Sequence, residues 1–180
     1  LWGPPTVRES GKWDGPGVAV LERDICAVTP EDVAGFDAVI NALRAPAGKE
    51  EQHRTAMEHL IAVFEKERGV RLLVVGGAGS LYTDESKKER LMDSKGFPSA
   101  FLPTASNMGN AFEKLTKSKA QWTYFSPAAV FDPEGKRTGD YTLGEDVLLL
   151  NKAGESYISY ADYAIAMIDE VSNRNFVNRR

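Results

Sequence analysis

Cysteine is almost absent from this chain of 180 residues, which holds Cys26 and no other thiol. A lone cysteine excludes a disulfide within the chain and any metal site built from several thiolates. Histidine is nearly as scarce, because His53 and His59 are the only two. They are six positions apart, whereas a metal-binding pair on one helix face needs a spacing of four. We therefore predict no metal site. We interpret His53 as a surface residue or, alternatively, as one that points into a cleft from a helix N-terminus.

Long apolar runs and an excess of positive charge are also missing. No stretch approaches the roughly 20 apolar residues of a membrane span, and no signal peptide is visible, so the predicted compartment is the cytoplasm. The net charge of −4 argues against nucleic acid as a partner, and an anionic cofactor would need local help from an arginine or a helix N-terminus. The composition, 42% hydrophobic and 27% charged residues, is that of an ordinary globular domain.

The beginning of the chain shows no periodicity of apolar residues that is typical of a helix or a strand. Residues 1–17 contain four glycines, three prolines and two tryptophans, and we interpret them as an irregular segment outside the core fold. Because the chain begins with Leu1 rather than methionine, it is expected to be a fragment or a processed product. Residues 18–180 are expected to form a single domain.

Strand and helix patterns alternate through residues 18–180, which predicts an α/β fold built on a parallel sheet. Thr29-Pro30-Glu31-Asp32 is typical of a helix start, and Gly69 is expected to end the next helix. Residues 83–100 are expected to form a surface loop, and residues 138–150 a hairpin-like excursion. Strands are predicted at 18–22, 36–41, 72–75 and 122–126, and further helices at 49–68, 106–117 and 159–170.

The strand at 72–75 leads directly into Gly76-Gly77-Ala78-Gly79. In open α/β sheets the ligand lies at the carboxyl ends of the strands, so this cluster predicts where the site is. It matches the dinucleotide fingerprint Gly-x-Gly-x-x-Gly poorly, because Tyr82 occupies the third glycine position and a charged loop follows. The better interpretation is a glycine loop that lines the site, with the phosphate-binding residues elsewhere in the chain.

Three polar residues at predicted strand ends are candidate site residues. Ser80 lacks the Gly-x-Ser-x-Gly setting of a nucleophile, so we expect its hydroxyl to hydrogen-bond a ligand or the loop backbone. Ser126 ends another strand and is expected to share the same cleft. Asp24 could accept a hydrogen bond from an adenine amino group or cap the following turn, and the sequence leaves both readings open.

Five segments in this order resemble one known family: 36–42, 72–81, 122–128, 139–141 and 158–164. The chain is similar to NAD(P)H-binding proteins of the atypical short-chain dehydrogenase/reductase group, in particular to NmrA-like and NADH-flavin-reductase-like bacterial members. The resemblance covers about residues 18–180. It implies a Rossmann-like parallel sheet with helices on both faces, and NADP or NAD as the cofactor.

The resemblance also implies a set of cofactor-binding residues at the strand ends. Asp24 and Ile25 would border the adenine, and residues 158–163 would close the far end of the sheet. The residues expected along the rest of the cofactor are Ala42, Leu43 and Arg44 after the strand at 36–41, Gly76, Gly77 and Ser80 near the nicotinamide ribose, and Ser126, Pro127 and Ala128 beside the nicotinamide.

Two departures from the family pattern matter. The family's glycine-rich phosphate loop and its second strand should precede Val18, so the N-terminal strands are expected to be missing or replaced. Typical members also use a Tyr-x-x-x-Lys pair, with tyrosine as the proton donor. Those two positions correspond here to Ala105 and Gly109, neither of which can perform that chemistry.

The predicted function is reduction of a flavin, a quinone or a similar small acceptor by hydride transfer from NAD(P)H, with Ser80 and Ser126 as candidate catalytic residues. Such an acceptor takes its proton from water and does not require the Tyr-Lys pair. The alternative is a non-catalytic dinucleotide-binding module that senses redox state. A fragment unable to bind any dinucleotide is a third possibility. The expected partners are the dinucleotide, a small-molecule acceptor and a second copy of the chain, since exposed strand edges favour association.

Overall fold

The computed structural model describes residues 20–180, which form an α/β fold. The predicted irregular segment at 1–17 lies outside the described residues. Within 20–180, short 3-10 turns occur at Ile25–Ala27, Ala78–Ser80, Leu91–Asp93 and Ser99–Phe101. In the same part of the chain the strands are β1 (Ala38–Asn41), β2 (Arg71–Val75), β3 (Trp122–Phe125), β4 (Val130–Asp132) and β5 (Tyr157–Ser159), and the α-helices are α1 (Pro30–Val33), α2 (Gln52–Phe64), α3 (Leu102–Thr116) and α4 (Tyr160–Asn173).

The main sheet is parallel, with the order β1-β2-β3, and Leu72 pairs with Val39 on one side and Trp122 on the other. The central strand β2 is buried at its first four residues. A strand covered on both faces needs a continuous apolar run rather than alternation. This explains why the sequence predicted β2 correctly. The chain that follows β2 lies at the carboxyl end of the sheet, where ligands bind in α/β folds.

Helices cover both faces of the sheet, as predicted for a Rossmann-like fold. On one face, α2 and α3 bury Met57, Leu60, Phe64 and Leu115 against alternate residues of β2 and β3. On the other face, α4 packs Tyr163 and Met167 against Leu73. Strand β4 pairs with β5 in a separate, parallel two-stranded sheet, and β5 leads directly into α4.

The last residues of the chain run beside β3 and extend its pairing. The Asn178 N–H donates to the Trp122 carbonyl at 2.6 Å, and the Tyr124 N–H donates to the Arg179 carbonyl at 3.1 Å. Further upstream, a buried ion pair joins this region to the sheet: Arg71 Nη1 lies 2.8 Å from Glu170 Oε1. These contacts fix the path of the chain up to Arg180.

Several predicted elements need correction. Residues 20–22 are not part of a strand; they lead into the 3-10 turn at Ile25–Ala27, and Val18 and Ala19 lie outside the described residues. Helix α2 ends at Phe64 with Glu65 as its cap, so Gly69 is not the C-terminal cap. Helix α3 begins at Leu102, four residues before the predicted start, because Pro103 is compatible with a first turn.

The predicted hairpin at 138–150 is also wrong. No strand forms there; the segment is a loop whose middle joins Tyr82 by two main-chain bonds, from Tyr82 N–H to the Asp146 carbonyl at 2.8 Å and from Leu148 N–H to the Tyr82 carbonyl at 2.9 Å. The short strands β4 and β5 were not predicted. Among residues 20–180, no helix is long and apolar enough to cross a membrane.

Candidate functional site

A cavity of about 410 Å³ lies at the carboxyl end of β3. Its floor includes the strand end Phe125 to Ala128, and its roof is the loop at 138–151. Helix α4 closes one side with Asp162, Tyr163 and Ala166, and Arg180 completes the lining. The volume falls within the range of roughly 300–1,000 Å³ found for small-molecule sites. Three of the predicted site residues, Ser126, Pro127 and Ala128, line this cavity.

The hydroxyl of Ser126 stands out among the polar groups that line the cavity. Its Oγ is buried and has no hydrogen-bond partner among the described residues. The strand end beside it is held firmly, because the Tyr163 hydroxyl donates to the Phe125 carbonyl at 2.6 Å. Burial raises the pKa of Tyr163, so this hydroxyl keeps its proton and its hydrogen bond. A buried hydroxyl without a partner is costly, and a ligand in the cavity would remove that cost.

The glycines after β2 are required by close packing. A Cβ on Gly76 would lie 2.9 Å from Cδ1 and Cζ of Tyr124, and still closer to Cε1. A Cβ on Gly77 would lie 3.1 Å from the Met108 sulfur. The Tyr124 hydroxyl donates to the Met108 carbonyl at 3.3 Å, and burial raises the pKa of Tyr124 to about 12. Tyr124 therefore stays protonated at neutral pH, with its ring packed against Gly76 and its hydroxyl bonded to the Met108 carbonyl.

Ala105 and Gly109, the positions predicted to correspond to the tyrosine and lysine of typical short-chain dehydrogenases, face the same glycine turn. A Cβ on Gly79 would lie 2.7 Å from Ala105 Cβ, and a Cβ on Gly109 would lie 3.9 Å from Ser80 Cβ. Helix α3 thus packs directly on the turn through Ala105, which leaves no room for a tyrosine ring. That Ala105 and Gly109 correspond to the tyrosine and lysine of the family stays a prediction.

Ser80 is bound by the last arginine of the chain. Arg180 Nη2 donates to Ser80 Oγ at 2.6 Å and Nη1 donates to the Ser80 carbonyl at 3.1 Å. The Arg180 side chain is only 5% exposed and lies over the ring of Phe112, 4.1 Å from its centroid, and near Tyr124 at 5.7 Å. Its Nε has no partner among the described residues. Burial lowers the pKa of Arg180, but a guanidinium stays charged in proteins.

Sequence reasoning missed Arg180. It lies in the run Asn178-Arg179-Arg180, where charged residues normally face solvent, and nothing in its spacing marks it as buried. The main-chain pairing beside β3 turns Arg179 outward, 54% exposed, and Arg180 inward. Alternation along an extended segment is the one signal that could have found it.

Asp162 holds the roof of the cavity onto α4. Its carboxylate accepts hydrogen bonds from the Thr138 N–H at 2.9 Å, the Thr138 hydroxyl at 2.8 Å and the Gly139 N–H at 2.8 Å. The Ser159 hydroxyl donates to the same carboxylate at 3.0 Å. The Gly139 N–H, followed by the other donors, keeps the pKa of Asp162 below its ordinary value. Two segments of the predicted family pattern, 139–141 and 158–164, therefore meet at this carboxylate.

The predicted residues around β1 lie apart from the main cavity. Leu43 lines a small second cavity of about 10 Å³ together with His53, which is half-buried. Asn41 Oδ1 accepts from the Leu43 N–H at 3.1 Å, and Ala42 and Arg44 are exposed. Desolvation lowers the pKa of His53. A role of these residues in cofactor binding stays a prediction.

Asp24 caps a turn, which is one of the two readings left open by the sequence. Its Oδ1 accepts from the Cys26 N–H at 2.8 Å, and Ile25 packs against the main core cluster. The second histidine, His59, lies with Nε2 2.7 Å from the Val28 carbonyl. Among residues 20–180, no group of three or more histidine, cysteine or acidic side chains could hold a metal ion.

Comparison with known proteins places these features in a family. The profile of the NAD(P)H-binding family matches residues 7–174. YwnB, an uncharacterized protein of Bacillus subtilis, is 49% identical over 175 residues, which are 97% of this chain and 82% of YwnB.

Solved structures agree with this assignment. A candidate NADH-flavin reductase from Streptococcus pneumoniae is 37% identical with a TM-score of 0.88, over 97% of this chain and 82% of that one. A candidate epimerase from Bacteroides thetaiotaomicron is 35% identical with a TM-score of 0.82, over 94% and 77% of the two chains. With the Rossmann-like sheet and a cavity at its carboxyl end, these matches show that the chain belongs to the NAD(P)H-binding family, whose cofactor is NAD or NADP.

Proposed function

We propose that this protein is an NAD(P)H-dependent oxidoreductase that reduces a small planar acceptor, such as a flavin or a quinone, bound in the cavity at the end of β3. Membership of the NAD(P)H-binding family supports the dinucleotide. The similarity to the candidate NADH-flavin reductase from Streptococcus pneumoniae supports the acceptor class. The observation that carries the proposal is the buried, unpartnered Ser126 Oγ beside a cavity of ligand size.

The residues at the cavity fit the nicotinamide half of the cofactor. The family's cofactor supplies a hydride when it is bound. An amide or carbonyl group on the ligand could accept the hydrogen bond that Ser126 Oγ lacks. The buried wall around it, with Pro127 and Tyr163, excludes water from the reacting atoms. Of the residues proposed to bind the cofactor, Ser126, Pro127 and Ala128 line this cavity. Those proposed along the rest of the dinucleotide are Asp24, Ile25, Ala42, Leu43, Arg44, Gly76, Gly77 and Ser80.

The proposed acceptor class rests on the lack of a general acid at the position predicted for the family's tyrosine. Reduction of an ordinary ketone needs a general acid that delivers a proton in the transition state. The position predicted for the usual acid, a tyrosine, is Ala105, which packs against the glycine turn. A flavin or a quinone is stable as the reduced anion and takes its proton from water afterwards. In this mechanism Ser126 orients the reactants from the cavity wall. Ser80 is not among the residues that line the cavity, and its proposed part in stabilising charge runs through Arg180, which lines the cavity and donates to Ser80 Oγ.

Residues 18–180 would act as one dinucleotide-binding domain, with self-association through exposed strand edges. Cys26 is exposed and unpaired, which fits the cytoplasm, where thiols stay reduced.

A cofactor titration followed by an acceptor screen tests the proposal. The purified chain is titrated with NADPH and with NADH by fluorescence, and cofactor oxidation is then measured with riboflavin, FMN and quinones. Ser126→Ala should weaken cofactor or acceptor binding about tenfold, the cost of one well-made hydrogen bond of roughly 1–1.5 kcal/mol. Ser172→Ala, on the exposed surface of α4, is the matched control. Unchanged binding in Ser126→Ala would contradict the assigned role of this hydroxyl.

A non-catalytic redox sensor is the second candidate. It is favoured by the close packing of Ala105 on Gly79, because a site without a general acid can bind a dinucleotide without using it. Saturable binding of NADPH with no oxidation by any acceptor in the screen would support the sensor and reject the reductase. Turnover with any of these acceptors would reject the sensor.

A further inference from the structure

We propose that Ser80 and Arg180 form a charge-stabilising pair, in which the guanidinium polarises the serine hydroxyl toward negative charge that develops on the acceptor. This inference rests on the proposed function and adds a residue, Arg180, that the family pattern used above does not include. The pair would take over the electrostatic part of the tyrosine-lysine role.

The hydrogen-bond arrangement leaves the Ser80 proton free. Arg180 Nη2 donates to Ser80 Oγ at 2.6 Å, so the serine oxygen is the acceptor in that bond. Among residues 20–180 no other group accepts the Ser80 hydroxyl hydrogen. A charge-assisted bond of this length withdraws electron density from the oxygen. The Ser80 O–H is therefore a stronger donor than an isolated serine.

The surroundings of Arg180 strengthen its field. The side chain is 5% exposed and covered by the rings of Phe112 and Tyr124, and charges act more strongly where water is excluded. The groups facing it besides the two rings are the Tyr82 hydroxyl and Asp146. Asp146 lies 3.6 Å from Nη1 and is more distant from it than from Lys87 Nζ, at 3.0 Å. Asp146 therefore lies closer to Lys87 than to Arg180, and Arg180 is the member of the charge-stabilising pair that lines the cavity.

The cation beside Ser80 does not come from α3. A Cβ at Gly109 would lie 3.9 Å from Ser80 Cβ, so the helix position that is predicted to correspond to the usual lysine is next to Ser80. A cation is present near this hydroxyl, but it comes from the segment beside β3 instead of from α3. The main-chain bonds of Asn178 and Arg179 to that strand set its position.

The chemistry requires no proton transfer from Ser80. A neutral acceptor that receives a hydride forms one new bond with that electron pair and gains one negative charge, while the dihydronicotinamide is oxidised by the same two electrons. Arg180, which lines the cavity, balances the new charge, and the Ser80 hydroxyl that Arg180 holds is assigned to donate a hydrogen bond to it. The proton that completes the reduced acceptor then comes from water.

A phenol titration tests the pair without relying on turnover. The probe is 4-nitrophenol, a planar neutral molecule whose anion absorbs at a different wavelength. The wild-type chain should prefer the anion and lower the pKa of the bound probe by about one unit, a tenfold preference, as expected for an opposite charge nearby. Arg180→Met should abolish the preference, Arg180→Lys should keep part of it, and Ser80→Ala should reduce it.

Controls separate charge from folding. Arg179→Met removes the same charge from the neighbouring, 54% exposed side chain and should leave the bound pKa unchanged; thermal unfolding of every variant shows which ones are folded. Ser80→Thr retains the hydroxyl and should keep part of the preference for the anion that Ser80→Ala reduces. If turnover is found, Ser80→Ala and Arg180→Met should each lower kcat more than they change KM, and the double variant should be no worse than Arg180→Met alone.

The outcomes distinguish this inference from the proposed function. A wild-type chain that binds neither form of the probe, or an Arg180→Met chain that is folded and keeps the wild-type bound pKa, overturns the pair even if the enzyme is active. A phenolate preference that only Arg180 and Ser80 substitutions remove supports the pair. If that preference is present without turnover for any acceptor, the reductase is rejected and the charged pair remains.

Discussion

The buried ion pair between Arg71 and Glu170 gives the sharpest prediction about stability. Both side chains are 1% exposed, and Arg71 Nη1 lies 2.8 Å from Glu170 Oε1. The Glu170 carboxylate also accepts from the main-chain N–H groups of Asn175 and Phe176, each at 3.0 Å. Arg71 Nη2 donates to the Glu170 carbonyl at 2.7 Å. The substitution Glu170→Gln keeps the shape and removes the charge, so it leaves a buried guanidinium uncompensated.

The expected loss is large compared with the whole stability of the fold. Removing one partner of a buried pair costs about 3–5 kcal/mol, whereas a domain is stable by about 5–15 kcal/mol in total. With a urea m-value of about 2 kcal/mol per molar, the midpoint should fall by about 1.5–2.5 M. The cost comes from the stranded charge, so Arg71→Met combined with Glu170→Leu should recover most of it.

Urea unfolding followed by tryptophan fluorescence measures this change. The matched control is Glu58→Gln, which removes an exposed carboxylate paired with Arg54 and Lys114 and should leave the midpoint almost unchanged. A Glu170→Gln midpoint within 0.3 M of wild type, a span of about 0.6 kcal/mol at the assumed m-value, would refute the reasoning. So would a double variant less stable than Glu170→Gln, because the buried charge would then not be the source of the loss.

Three further changes follow from the site. Gly76→Ala forces a Cβ to within 2.9 Å of the Tyr124 ring and should cost about 1–3 kcal/mol in thermal unfolding, whereas Gly96→Ala, with nothing within 4 Å, should not. The pKa of Asp162 is lowered in the fold, so its contribution is full above the unfolded value near 3.9 and is lost as the pH falls below it; Asp162→Asn should flatten the acid limb of stability against pH. Tyr163→Phe removes the 2.6 Å hydrogen bond to the Phe125 carbonyl and should lower the free energy of unfolding by about 1 kcal/mol. If the end of β3 becomes more mobile as a result, kcat should fall as well.

The central strand and the glycine turn could be predicted because local sequence determines them. β2 has four buried residues in a row, and only a strand covered on both faces requires such a run. Gly76 follows because a ring from β3 occupies the space of its side chain. The short strand β4 left no such pattern, since Val130 is 54% exposed and the strand has three residues.

The roof of the cavity could not be predicted from periodicity. Leu148 to Leu150 is an apolar run that resembles a strand, yet Leu150 is 60% exposed. The loop is held instead by long-range bonds, from Tyr82 in the middle and from Asp162 at one end. Such contacts join residues far apart in the sequence, and no local pattern encodes them.

The position of Arg180 also depends on contacts between residues far apart in the sequence, and these contacts link the stability of the fold to the proposed chemistry. Glu170 fixes Asn175 and Phe176, the first residues of the segment that carries Arg180 to Ser80. If the Ser80–Arg180 pair depends on the position of this segment, Glu170→Gln should weaken the preference for 4-nitrophenolate. The effect should be present at urea concentrations far below the unfolding midpoint of the variant. Gly76→Ala, which crowds the Tyr124 ring but removes none of the hydrogen bonds that Glu170 makes to the segment, should affect the preference less at equal loss of stability. Equal effects of the two variants would mean that general loosening of the core, and not the clamp at Glu170, controls the position of Arg180.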